Sequence, residues 1–425
     1  MIFDGAMGSR ESRPDSPEVA PPARHIEAPD VQSEDVSAAV QFVRLCGRAT
    51  LNPREALAVH ESGVALLPDE WLHVVHIAAA SGMVPLVFLQ AARAGLLQTM
   101  PTDVATALAD GCRQTLVTNR SLLRQQQELL SALEARGIQA IVLKGLSLAV
   151  RYYQEIGLRP TSDVDLLVRR SDLQRADQVL RELGYQTQGG RPTIWNDGDL
   201  SYTSPKGHKL ELHWELTHRP SYRIGLSAKR AWARAQTVDV ANQPMRVLSA
   251  SDELRFLCVH CTAGHRLRPE GPRLIWHMDI AQVVRTLPSS WDWPAFVEDT
   301  IALRLAAPVY QALNGCQASL GLRLPPDALD RLRDASTTQA ERDAWHASQR
   351  DSFSAETLQS LLSAASNVTQ VIAFLKGVVL PGSVWLRERY GRQNGRQLPL
   401  WHAYVLYLRR VLKRLPELVG TRKKR

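Results

Sequence analysis

The stretch Val142-Leu143-Lys144-Gly145-Leu146-Ser147, continued by Arg159-Pro160-Thr161-Ser162-Asp163-Val164-Asp165-Leu166-Leu167-Val168, decides how this chain is read. Ile138 to Leu143 and Val164 to Val168 are short apolar runs that fit buried strands, the second broken only by Asp165. The first gives way at Lys144-Gly145 to a helical stretch through Tyr153. Along a strand, residues two apart project from one face, so Asp163 and Asp165 point to the same side. Carboxylates that close repel and raise each other's pKa unless a cation lies between them. Oxygen-only ligands at this spacing suit Mg²⁺ or Mn²⁺.

Outward from this pair, Lys209-Leu210-Glu211-Leu212-His213-Trp214-Glu215-Leu216 offers a third carboxylate, Glu211 between two leucines, with Glu215 as the next acid on that face. His213 is expected to turn away from Glu211 and to pack or hydrogen-bond against a helix. Upstream, a strand that ends at Lys144-Gly145 and opens into a helix presents backbone N–H groups and a positive dipole end to an anion. Lys144 and Arg159 add charge for a triphosphate. Metals held by carboxylates beside a phosphate cradle suit in-line attack at phosphorus. Ser171 is expected to cap a helix over Asp172 to Leu183, and a weaker strand over Ile194 to Tyr202 precedes the one at Lys209 to Leu216. The order of elements predicts an α+β fold, a small mixed sheet with helices on one face.

Gly145 with Ser147, then Asp163-Val164-Asp165-Leu166, then Leu210-Glu211-Leu212 resemble the signature of the DNA polymerase beta-like nucleotidyltransferase superfamily. That signature is a Gly-Ser turn, an acid-apolar-acid strand and a later strand with one more acid. More narrowly, Leu143-Lys144-Gly145, Arg159 ahead of Asp163, and Leu212-His213-Trp214 resemble the uncharacterised bacterial nucleotidyltransferases of the NTP_transf_5 type. The resemblance extends over most of residues 60 to 320, with flanking echoes at Pro85-Leu86, Asn119, His260, His265, Trp276, Asp279 and Trp293. It implies a polymerase beta-like core in which Asp163 and Asp165 ligate catalytic Mg²⁺ (or Mn²⁺) and Glu211 is the third carboxylate. It also implies an NTP, with ATP the expected donor, held by Lys144, Gly145, Ser147 and Arg159. In this sequence Leu146 splits the superfamily's adjacent Gly-Ser, where the narrower family carries Lys-Gly.

The 425 residues suffice for two to three domains. A 44% hydrophobic share excludes a wholly disordered chain, and five cysteines do not make a disulfide scaffold, which favours a reducing compartment. Residues 1–35, with Pro14, Pro17, Pro21, Pro22 and Pro29, read as a disordered leader. Residues 36–136 read as an N-terminal helical region whose last helix, from Thr102, is ended by Gly137. The nucleotidyltransferase core is expected at 137–245, and a C-terminal helical domain at 246–380, opened by a cap at Ser251. Residues 381–425 form a basic amphipathic tail. From Arg387 onward, twelve Lys and Arg stand against two Glu, an excess larger than the whole chain's net charge of +8.

That tail is expected to meet an acceptor or partner; nucleic acid is a weaker reading, because no recognition motif accompanies the charge. Cys258-Val259-His260-Cys261 with His265 invites zinc, but structural zinc usually takes two separated ligand pairs, and a packed helix is the preferred reading. Tyr152 and Tyr153 are expected on a packing face rather than against a base. No run approaches the roughly 18 apolar residues of a membrane span, and the expected location is cytoplasmic. The function expected is metal-dependent transfer of an NMP group from an NTP to an unidentified acceptor: a protein, a peptide or a small molecule. Two alternatives stay open, kinase-like phosphoryl transfer from the same site and a non-catalytic binding or antitoxin-like module on the same fold.

Overall fold

The structure, a computed structural model, describes residues 37–153, 155–187, 198–240, 243–264, 273–349 and, further on, 392–393, 396–397, 399–402 and 404–409. The expected leader and the basic residues from 410 onward lie outside the described residues.

Four helices lead in: α1 (Ala38–Leu45), α2 (Pro53–Val64), α3 (Pro68–Ser81) and α4 (Val84–Arg93). Their starts are written locally. The Ser37 hydroxyl caps α1, Asn52 and Glu55 form a capping box on α2, and prolines open α2 and α3. Then α5 (Thr102–Glu134) runs for 33 residues. Its first half packs Val104 and Leu108 into one core, and its second packs Leu122, Leu129 and Leu133 into another. No helix among the described residues is long and apolar enough to cross a membrane.

The sheet region follows as β1 (Ala140–Leu143), α6 (Gly145–Tyr152), β2 (Asp163–Val168), α7 (Leu173–Glu182), β3 (Gln186–Thr187), β4 (Asp199–Thr203) and β5 (Lys209–His213). It closes with α8 (Ala228–Arg234), β6 (Gln236–Val240) and β7 (Gln243–Val247). Seven strands lie in the order β3-β4-β5-β2-β1-β7-β6. β1 runs antiparallel to β2, with Leu143 opposite Asp165, and β2 runs parallel to β5, with Asp165 beside Glu211 and Leu167 beside His213. β4 pairs antiparallel with β5, setting Asp199 opposite His213. The fold is therefore α+β with a mixed sheet.

Strand alternation divides the central strands between two cores. Ala140, Val142, Val164, Leu166, Val168, Leu210 and Leu212 face a core built with α5 and α7. Ile141, Leu143 and Leu167 face a larger core built with the flanking helices. Helices thus cover both faces of the central strands, not one. Asp163 and Asp165 share the face of Leu167, so the acids open toward the larger helical body.

That body continues with α9 (Ala250–Val259), α10 (Leu274–Thr286), α11 (Trp293–Ala302), α12 (Ala306–Leu320), α13 (Pro326–Ser336) and α14 (Gln339–Gln349). Three local expectations are corrected. The cap of α9 is Ser249, whose Oγ accepts the Asp252 N–H at 3.3 Å, two residues before the Ser251 that composition suggested. Ser171 lies inside a 3₁₀ turn over Arg170–Asp172, and α7 begins after it without a side-chain cap. The hairpin β6–β7 widens a sheet expected to be smaller; its alternation, Val238 and Val240 against Met245 and Val247, is short and easily lost beside charged neighbours.

Candidate active site

The site is assembled at the turn between β1 and α6 and at the adjoining ends of β2 and β5. Lys144 adopts φ 24°, in the region that disfavours side chains, and Gly145 follows at φ 50°. A methyl group at Gly145 would lie 3.2 Å from Thr161 Cγ2 and 4.0 Å from Asp165 Oδ2, so glycine there serves both conformation and space. The turn delivers the Lys144 ammonium between two acids: Nζ lies 3.1 Å from Asp165 Oδ1 and 3.8 Å from Glu211 Oε2. Burial opposes a charge on Lys144, but Asp165, Glu211 and Asp163 hold its pKa above the ordinary value.

Asp165 is buried, its side chain fully inaccessible, and its Oδ2 has no hydrogen-bond partner. Glu211, beside it in register, is the more open acid, with 30% of its side chain exposed. A hydrogen bond from His213, with help from Lys144 and against burial, holds the Glu211 carboxyl well below the usual range. Asp163, at the start of β2, accepts a hydrogen bond from Ser162 Oγ at 3.1 Å. Burial and the neighbouring Asp165 raise its pKa. Glu215 lies beyond the end of β5, packed over Gly198, with Arg223 and Arg170 as its charged neighbours.

His213 is not turned away. Residues two apart share a strand face, so His213 stands on the side of Glu211, and the expectation that it points elsewhere is overturned by the alternation itself. Its Nε2 lies 3.0 Å from Asp165 Oδ1 and 3.4 Å from Glu211 Oε2. Burial favours the neutral ring, yet the two carboxylates bring its pKa up to about 9. Among the described residues, Asp165, Glu211 and His213 are the one group of three His, Cys, Asp or Glu whose ligand atoms all lie within 4.8 Å of one another.

The other residues singled out by sequence divide. Ser147 is buried in the first turn of α6, and its Oγ has no hydrogen-bond partner. Arg159 is turned inward: Nε and Nη2 each lie 2.7 Å from an oxygen of Asp279 on α10, while Nη1 donates to the Gly145 carbonyl at 3.3 Å. Asp279 also accepts from Tyr153 Oη at 2.7 Å. Asn119 of α5 donates to the Arg159 carbonyl at 2.7 Å, fixing the loop from the opposite side. Asp279 had no local signal as the partner of Arg159, because the two stand 120 residues apart. Tyr152 and Arg151 of α6 both reach the buried Glu253 of α9, at 2.5 and 2.6 Å. Cys258 and Cys261 are buried, and burial pushes Cys261 up to about 12 and raises Cys258 well above its ordinary value; His265 lies outside the described residues.

What this arrangement can do follows from its unsatisfied atoms. A buried carboxylate oxygen and a buried hydroxyl without partners are costly, and both sit beside the same Gly145 turn. Two carboxylates and an imidazole form a donor set that a divalent cation fits.

Comparison with known proteins agrees with the resemblance seen in the motifs. The family of uncharacterised nucleotidyltransferases matches residues 68–321 of this chain. The crystal structure of an antigenic nucleotidyltransferase-like protein from Paracoccidioides brasiliensis is similar at 14% identity and a TM-score of 0.27, covering 52% of this chain and 95% of that one. No curated protein matches.

Proposed function

We propose, from the premise that this chain belongs to the family of uncharacterised nucleotidyltransferases, that it transfers an NMP group from an NTP to an acceptor hydroxyl or phosphate. One observation carries the reading. Asp165 is buried on an otherwise apolar strand with one oxygen unpartnered, and Glu211 lies beside it in register. Buried acids so close need positive charge beside them; Lys144 and His213 contribute it, and a divalent ion between the acids would add two charges more.

Asp163, Asp165 and Glu211 would hold Mg²⁺ or Mn²⁺. Bound there, the ion would polarise the α-phosphate and offset charge on the pyrophosphate leaving group. The residues of the chain do the rest. The Lys144-Gly145 turn and the start of α6 present N–H groups and a positive dipole end to the phosphates, with the Ser147 hydroxyl one turn in. Arg159, occupied by Asp279, keeps the turn in place through the Gly145 carbonyl. Glu211 is more open to solvent than Asp165, and either of the two would take the acceptor's proton. ATP is the expected donor, and the basic C-terminal stretch the expected contact for the acceptor.

The test needs no acceptor. Each of the four NTPs, with Mg²⁺ or Mn²⁺, is added to the wild-type protein and to Asp163→Asn/Asp165→Asn, and melting temperatures are compared. At a hundredfold excess over Kd, a ligand that binds only the folded state stabilises by about 2.7 kcal/mol. The expected result is a metal-dependent shift in the wild type that the double variant lacks. No shift with any NTP in either metal overturns the reading. Labelled α- and γ-phosphates then separate nucleotidyl from phosphoryl transfer.

A further inference from the structure

The feature of this site that the acid signature does not include is the imidazole of His213. It stands on β5 two residues after Glu211, and its Nε2 lies 3.0 Å from Asp165 Oδ1 and 3.4 Å from Glu211 Oε2. Two ligands set side by side around an ion with bonds of about 2.1 Å are roughly 3 Å apart, so these separations are those of neighbours in one coordination sphere. Two further observations concern the same carboxylate. Lys144 Nζ converges on the same two oxygens, at 3.1 and 3.8 Å, so the space between the acids already accommodates a cation. Asp165 Oδ2, on a fully buried side chain, has no partner.

Asp199 of β4 pairs with His213 across the ladder and adds negative charge near the ring, while its Oδ1 lies 3.4 Å from His218 Nδ1.

We propose that His213 is a direct metal ligand through Nε2 beside Asp165 and Glu211, so that the site binds a divalent ion through nitrogen as well as carboxylate oxygens and takes Mn²⁺ ahead of Mg²⁺. Mg²⁺ is hard and holds to oxygen ligands and water, whereas imidazole suits the later first-row ions. This rests on the reading that Asp165 and Glu211 hold a divalent ion. The bland alternative is that His213 only donates a hydrogen bond to Asp165 and orients it.

Pulsed electron paramagnetic resonance on the full-length protein loaded with Mn²⁺ alone separates the two, because a directly bonded imidazole imprints ¹⁴N modulation on the Mn²⁺ signal. The expected result is ¹⁴N modulation in the wild type, replaced by a ¹⁵N pattern when histidine alone is ¹⁵N-labelled. That labelled sample keeps the test valid should a His213 variant fail to fold. In His213→Gln the modulation is lost and Mn²⁺ affinity falls at least about tenfold, while Mg²⁺ affinity changes less. Binding of Mn²⁺ that Asp165→Asn abolishes, but with no nitrogen modulation in the wild type, overturns the role of His213 and leaves the carboxylate reading standing. Absence of Mn²⁺ binding, or binding that Asp165→Asn leaves intact, overturns both.

Discussion

A histidine ring buried without a carboxylate is a titration point for the whole fold, and His277 of α10 is one. Its Nδ1 lies 2.9 Å from Ser319 Oγ, and the ring fits over Gly315, where a methyl group would come within 2.9 Å of Nε2. Burial, and then the positive Arg44, lower its pKa from 6.5 to about 4. The folded state therefore keeps the ring neutral where the unfolded chain already binds a proton. The stabilisation is complete above about pH 6.5 and is lost as pH falls toward 4, by as much as roughly 3 kcal/mol. Urea denaturation of wild type and His277→Gln at steps from pH 7 to pH 4 should give curves that converge as pH falls; parallel curves would refute the assignment. At this scale the sequence was legible where chemistry was unusual for its setting. Asp163, Asp165 and Glu211 stood out as acids among leucines and valines, and Lys144-Gly145 as a break after an apolar run. His213 was misplaced although the period of two that fixed Asp163 and Asp165 also fixes it beside Glu211.

Elements were legible where their ends are local. Gly137, just beyond α5, is such an end. They were obscure where an end is supplied from elsewhere. α12 begins at Ala306 after Leu305, which offers no cap, and its free N–H groups at Ala306 and Ala307 are each accepted by Glu341 of α14, at 3.1 Å. A stretch rich in charged residues thus contains a buried carboxylate acting as a remote helix cap. Glu341→Ala should cost about 1–2 kcal/mol, within the range of lost N-caps. Glu341→Gln, which keeps one acceptor, should cost less. Guanidinium denaturation of the two variants checks the order, and an equal loss in both would count against capping as the cause. The hairpin β6–β7 escaped notice for a related reason: its strands are five residues each, and only Val240, Met245 and Val247 among them are buried.

At the scale of the molecule, the sheet packs against the helical body through Ile141, Leu143 and Leu167, and charged contacts cross the same junction, among them the bond between Arg159 and Asp279 beside the candidate site. Arg159 is buried and bidentate to Asp279, with Tyr153 on the same carboxylate. Removing one partner of such a pair leaves a buried charge, and Asp279→Ala should cost about 3–5 kcal/mol. Replacing both, as Arg159→Met/Asp279→Leu, should restore part of that stability but not the position of the Gly145 carbonyl, so NTP-dependent stabilisation should stay weak. A double variant that melts like the wild type and responds fully to NTP would show the pair to be dispensable. This layer of the fold was not legible, because the strands at β1, β2 and β5 follow from local pattern, whereas the partner of Arg159 follows from how two cores pack.

The same separation has a consequence in time. Arg159 is synthesised 120 residues before Asp279. At about 5–20 residues per second, roughly 6–24 s pass between the two. Once Glu211 has been added, and until Asp279 follows, a nascent chain carries the turn and all three acids without the anchor that holds the turn in place. The turn is thus left without its anchor until the helical half has been made, and a chain that stalls after its sheet carries the acid motifs without the packing that orders them.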